Sequence, residues 1–209
     1  MPADARFAEI AAGLAALGRR AYQRGWASAT SGNFSAVVSE KPLRVAITAT
    51  GRDKGTLDAA DILAIDERAG VVAGPDRPSA ETALHLAILR ARGAGAVLHT
   101  HSLWSTLLSE AHAAAGGLAI EGYEMQKALH GVRTHQSREW LPIIDNSQDW
   151  AREAPAVEAL LAANPAAHGF LIRRHGLYTW GRDLAEASRH LEALEFLLEA
   201  VGRTHAWQA

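Results

Sequence analysis

The succession of apolar periods constrains this 209-residue chain most: one helical period, a block of short extended runs, helices alternating with further runs, and a closing helix. Phe7, Ile10, Leu14, Leu17 and Ala21 recur at helical spacing and Gly25 follows as a stop, so the chain opens on an amphipathic helix. Phe34 to Val38, Leu43 to Thr48 and Asp61 to Ile65, with Val71 and Val72, are short β-branched or apolar runs separated by turn formers, which read as antiparallel strands. Ser79 is placed to cap a helix with Leu84, Ile88 and Ala91 on its core face, and Gly93 to Gly95 breaks it before the extended run Ala96-Val97-Leu98.

Further on, the pattern predicts a short helix from Leu103 to Glu110, a small one from about Gly122 to Leu129 and a strand from Trp140 to Ile144. Ser147 to Ala163 reads as a helix interrupted at Pro155 and ended by Asn164-Pro165. Two strands, Phe170 to Ile172 and Leu177 to Trp180, are joined through Arg174-His175-Gly176. The last helix is capped by Asp183, with Glu186 three residues on, and carries the stripe Ala187, Leu191, Leu194, Leu198 and Val201. No repeat, low-complexity tract or linker divides the chain. The expectation is one domain over 1–209, a three-layer α/β/α fold whose central sheet is largely antiparallel.

Composition narrows the chemistry. A formal net charge of −2 and no long Lys/Arg run supply no field for a phosphodiester backbone, so nucleic acid is excluded as the expected partner. The opening residues MPADARFAEI lack a signal-peptide pattern and no run of about eighteen apolar residues occurs, which predicts a cytoplasmic protein with no membrane partner. The chain has no cysteine, so any metal must be held by histidine and carboxylate.

In Leu98-His99-Thr100-His101-Ser102 the two imidazoles alternate along a strand end and share one face, a spacing that can chelate a metal. The plain alternative is a polar pair on a solvated strand, but the apolar run before it reads as buried, where an imidazole needs a partner. A catalytic zinc takes three protein ligands. His175, between two apolar strands and followed by Gly176, is the best third. The other histidines, His85, His112, His130, His135, His168, His190 and His205, read as surface or satisfied core residues.

Taken together, His-x-His at 99–101, Arg-His-Gly at 174–176 and Pro78-Ser79-Ala80-Glu81 upstream resemble the class II aldolase/adducin-type family, over most of the chain from about Gly25. The stretches Thr50 to Gly55, Pro78 to Thr82, Tyr123 to Leu129, Pro142 to Asn146 and Arg174 to Gly181 are similar to its dehydratase branch, which removes water from a 1-phosphorylated ketopentose bearing a methylthio group. The resemblance implies one zinc ion per subunit on His99, His101 and His175, with Glu124 as general acid/base. For Glu81 it leaves two roles open, catalyst or extra ligand. It also implies a phosphate site at Ser28, Thr30, Ser31, Gly32, Asn33, Thr50, Gly51 and Ser79, with Lys127 as a substrate contact, in a four-fold homotetramer whose sites lie near subunit boundaries. From the residues alone, Glu124 and Lys127 share a helix face and read first as an ordinary surface ion pair. Glu81 would be favoured near a helix start by the dipole alone, and Ser/Thr/Gly loops are ordinarily turns. A sugar-phosphate aldolase or 4-epimerase using the same metal, and an adducin-like domain without one, are the rival readings.

Overall fold

A computed structural model describes residues 3–74 and 77–208, and among them the side chains of 5–74 and 77–204. The opening helix α1 (Ala3–Gln23) leads into β1 (Asn33–Glu40), β2 (Leu43–Thr48), β3 (Ile62–Ile65) and β4 (Val71–Ala73), an antiparallel meander. Then follow α2 (Thr82–Arg92), β5 (Ala96–Thr100), α3 (Leu103–Ala111), β6 (Gly117–Glu121), β7 (Arg138–Ile144), α4 (Trp150–Ala163), β8 (Gly169–Ile172), β9 (Gly176–Gly181) and α5 (Leu184–Gln208). One sheet forms, in the order β4-β3-β2-β1-β5-β9-β8-β7-β6. Every pair is antiparallel except β7 with β8, and α4 is the crossover that a parallel pair requires.

Alternation along the strands builds two cores. On β5, Ala96 and Leu98 join the cluster packed by α1, α3 and α5, while Val97 joins the cluster packed by α2 and α4. β8 divides likewise, Leu171 to the first and Phe170 with Ile172 to the second. The three-layer expectation is therefore met, with the largely antiparallel sheet between two helical layers. Among the described residues, no helix is long and apolar enough to cross a membrane.

Several local expectations need correction. Gly117–Glu121 is a strand that the sequence reading omitted; its glycine start and single exposed edge obscure the alternation, and only pairing with Arg138 to Pro142 defines it. Pro155 does not interrupt α4: it is exposed, so the carbonyl it leaves without an N–H partner can be met by water. Ser79 does not cap α2, which begins after Glu81; its hydroxyl instead accepts from the Glu81 N–H at 3.2 Å. Ala91 is exposed, whereas Leu84 to Leu89 are all buried. The segment after β6 winds only into a 3-10 turn, Glu124–Ala128.

Candidate metal centre and anion cleft

β5 ends mid-sheet, and its neighbour β9 starts there, so the hairpin before β9 hangs over the His-x-His segment. Arg174 turns that hairpin with φ 55°, and Gly176 lets it close: a Cβ there would meet the Thr100 carbonyl oxygen at 2.0 Å. Three Nε2 atoms thereby converge. His101 lies 2.8 Å from His99, His175 lies 3.0 Å from His101, and His99 lies 3.3 Å from His175. Glu81, at the start of α2, places its carboxylate 3.2 Å from His175 and 3.6 Å from His99.

The donor set fits a divalent cation. The Nδ1–H of His99 donates to the Leu177 carbonyl at 2.9 Å, which leaves Nε2 with its lone pair, and Nδ1 of His175 faces the Asn146 side-chain oxygen at 3.2 Å. Nitrogens about 2.0 to 2.1 Å from a tetrahedral zinc would stand about 3.3 Å apart, close to the separations found. Burial pushes the His99 imidazole down to about 4 and His101 down to about 3, against the pull of Glu81, so both are neutral ligands at pH 7. Burial opposes ionisation of Glu81, but the His99 and His175 imidazoles and the Asn33 amide outweigh it and hold the carboxyl well below its usual range. Among the described residues these four form the cluster able to hold a metal, their donor atoms within 4.8 Å of one another.

Behind Glu81 runs a buried polar chain. The Ser35 hydroxyl donates to His85 Nδ1 at 2.7 Å, His85 Nε2–H donates to the Asn33 side-chain oxygen, and the Asn33 amide donates to Glu81. Burial pushes His85 down to about 4, and its two partners make it the satisfied core histidine that the sequence suggested. His130, His168 and His190 are likewise partnered, by Glu186, Glu139 and the Trp180 carbonyl. The side chain of His205 lies outside the described residues.

Beside the histidines, Thr30, Ser31, Gly32, Asn33, Thr50, Gly51 and Ser79 line a recess of about 140 Å³ together with Lys54, Glu81 and His101. The buried Ser31 hydroxyl has no hydrogen-bond partner among the described residues. Gly32 adopts φ 75°, and a Cβ there would lie 2.7 Å from the His99 carbonyl oxygen, which is how the loop comes against the metal strand. A wider lobe continues past Glu81 and His101 to Thr106, Asn146, Trp150, Arg174 and His175. Ser28 does not line the recess; its carbonyl accepts from the Ser31 N–H at 3.1 Å and shapes the turn.

Glu124 and Lys127 are not brought there. Their side chains are 70% and 47% exposed and pair at 2.6 Å, the surface ion pair that spacing alone allowed, with His135 at 3.6 Å from Glu124. The pairing of Glu121 with Arg138, and of Ile144 with Ile172, sets this turn at the opposite end of the sheet from the histidines, about 20 Å along β7. Glu124, expected as general acid/base, therefore lies away from the histidines of its own chain, because β6 runs away from that end. Lys54 and Asn146 fall in stretches that carry the family resemblance, but sequence reasoning gave neither a role. Both sit in turns rich in polar residues, where nothing local signals a cleft.

The family described as Class II Aldolase and Adducin N-terminal domain matches residues 12–201. The chain is 48% identical over 198 residues to a methylthioribulose-1-phosphate dehydratase of Sorangium cellulosum, covering 93% of this chain and 92% of that one. It is 46% identical over 195 residues to one of Marinobacter nauticus, covering 93% of each. Among solved structures, L-fuculose-1-phosphate aldolase from Thermus thermophilus superposes with TM-score 0.73 at 25% identity, over 98% of this chain and 96% of that one. An aldolase II superfamily protein from Pseudomonas syringae does so with TM-score 0.78 at 25% identity, over 99% and 78%.

Proposed function

Since the chain belongs to the class II aldolase and adducin family, we propose that it is a metal-dependent hydro-lyase, a methylthioribulose-1-phosphate dehydratase built as a single domain. It converts 5-methylthioribulose-1-phosphate to 2,3-diketo-5-methylthiopentyl-1-phosphate. The observation that carries this is the convergence of three histidines and a carboxylate on a cleft that continues into a recess lined by hydroxyls and glycine.

His99, His101 and His175 would hold the ion, one per chain, and three imidazoles suit zinc. Such an ion, when bound, supplies Lewis acidity that polarises a carbonyl and acidifies the neighbouring C–H. Ser31, Gly32, Thr50 and Ser79 offer neutral donors to the substrate's phosphate. The reaction takes the proton α to the carbonyl and expels the β-hydroxyl as water, and the resulting enol tautomerises to the diketone. One carboxyl group can serve both steps, as base and then as acid.

Within one chain Glu81 is the carboxylate at that centre. Glu124 can serve only the histidine cluster of another copy, since it is exposed at the far end of the sheet. A head-to-tail four-fold ring sets one end of each subunit against a different surface of the next, so a homotetramer would let Glu124 act as acid/base across the boundary, with Lys127 beside it. Such an enzyme works in the cytoplasm on a small sugar phosphate of methionine salvage, with neither nucleic acid nor membrane as partner.

A sugar-phosphate aldolase or 4-epimerase is the second reading, favoured by the place of Glu81 among the histidines. The products separate the two. Metal-loaded protein given 5-methylthioribulose-1-phosphate is expected to accumulate the diketone, followed by its absorbance. Retro-aldol fragments, or no turnover with the metal in place, would overturn the dehydratase.

A further inference from the structure

Lys54 is only 1% exposed, yet it lines the recess. Its ammonium donates to the Thr30 carbonyl at 3.0 Å and the Arg52 carbonyl at 2.9 Å, which accounts for two of three N–H groups. The carboxylates that act on it from a distance are engaged elsewhere. Asp53 accepts from the Gly55 N–H at 2.7 Å, while Asp61 pairs with Arg52 at 3.3 Å and accepts from the Asp58 N–H at 2.9 Å. Burial outweighs both and pushes the amine down to about 8. A buried cation that lacks a bonded counter-ion is unfavourable on its own. The recess it lines also holds the Glu81 carboxylate and the His101 imidazole, both turned to the histidine cluster, and the rest of its polar lining includes the neutral donors Ser31, Gly32, Thr50 and Gly51, one of which has a hydroxyl without a partner among the described residues.

We infer that Lys54 is the counter-ion of the bound phosphate monoester, and that its ammonium selects the dianion over monoanionic and uncharged ends. This rests on the proposed sugar-phosphate substrate and adds to it a specificity residue. Neutral donors alone hold a phosphate in any charge state, whereas a desolvated ammonium rewards the second negative charge. Lys127, the cation expected from the sequence, lies outside the recess of its own chain, where the lysine in the lining is Lys54.

The test uses full-length metal-loaded enzyme with Lys54→Met and Lys54→Gln variants and inorganic phosphate as probe. Both variants should keep wild-type metal stoichiometry. Phosphate should protect the wild type against heat and inhibit it competitively, and in the variants its inhibition constant should rise by between about ten- and a hundredfold, the effect of losing one charged hydrogen bond. Wild-type affinity should also rise with pH as phosphate becomes a dianion and fall again above about pH 8 as the Lys54 amine loses its proton, and the variants should lose that dependence, which a mere loop brace would not affect. An inhibition constant within about twofold of wild type with the same pH slope would overturn the assignment, as would loss of metal from both variants, which marks a brace. Absence of dehydration by the wild type would instead reject the proposed reaction, and phosphate protection would still judge Lys54.

Discussion

Imidazole nitrogens whose lone pairs point at one another repel unless a cation joins them, so the packing of His99, His101 and His175 is itself a statement about a ligand. Alanine at any of the three is expected to strip the metal while far-UV circular dichroism stays native, read by elemental analysis. Retained stoichiometry in all three variants would reject the assignment. Asn146, which faces His175, should matter one step out: Asn146→Ala is expected to weaken metal affinity by about 10- to 100-fold, measured by competition with a chelator. Because burial keeps His99 and His101 neutral down to about 4 and 3, protons should compete with the metal for these two ligands only in acid, below about pH 5, read as metal occupancy against pH. The histidine triad was legible because strand alternation and one glycine turn are local signals. Lys54 was not, since its burial comes from other parts of the chain closing around it.

At the scale of elements, α5 carries a carboxyl under the metal strand. Glu195 is 2% exposed and accepts from the Thr100 hydroxyl, and burial pushes it up to about 7. Its folded value thus exceeds the unfolded one, so the folded state holds the extra proton and stability falls as pH rises from about 4.5 through about 7. Glu195→Gln should remove this dependence: the variant is expected to match the wild type below about pH 4 and to exceed it above pH 8 by up to roughly 3 kcal/mol in urea unfolding. An unchanged pH profile would mean that the carboxyl ionises freely. The stripe of α5 was readable directly, since Ala187, Leu191, Leu194, Leu198 and Val201 are all buried. β6 was not, because an edge strand with a glycine start is specified by its partner more than by its own alternation.

Across the whole molecule, the position of Glu124 makes assembly part of the chemistry. If it serves a neighbour, His99→Ala and Glu124→Gln chains, each inactive alone, should recover activity when co-assembled. Random four-fold mixing of equal amounts would restore up to about a quarter of the sites. No recovery, with mixed tetramers verified by mass, would leave Glu81 as the acid/base, and Glu81→Gln would then be the variant that loses kcat while keeping the substrate's KM. A monomeric enzyme with full activity would exclude the role of Glu124 altogether.

By itself the sequence determined the layered fold, the strands that frame the site and the identity of the three histidines, because periodicity, turn glycines and a two-residue strand spacing act over short distances. It also determined that a surface ion pair was possible at Glu124 and Lys127. The tertiary structure alone decided that Glu81 joins the histidines, that Ser28 and Lys127 stay outside the recess and that Lys54 stands inside it. The reason is physical: these placements depend on strand order and on which loops meet at one end of the sheet. The pairings that set them, β1 with β5 and β5 with β9, join segments far apart along the chain, and no local pattern encodes them.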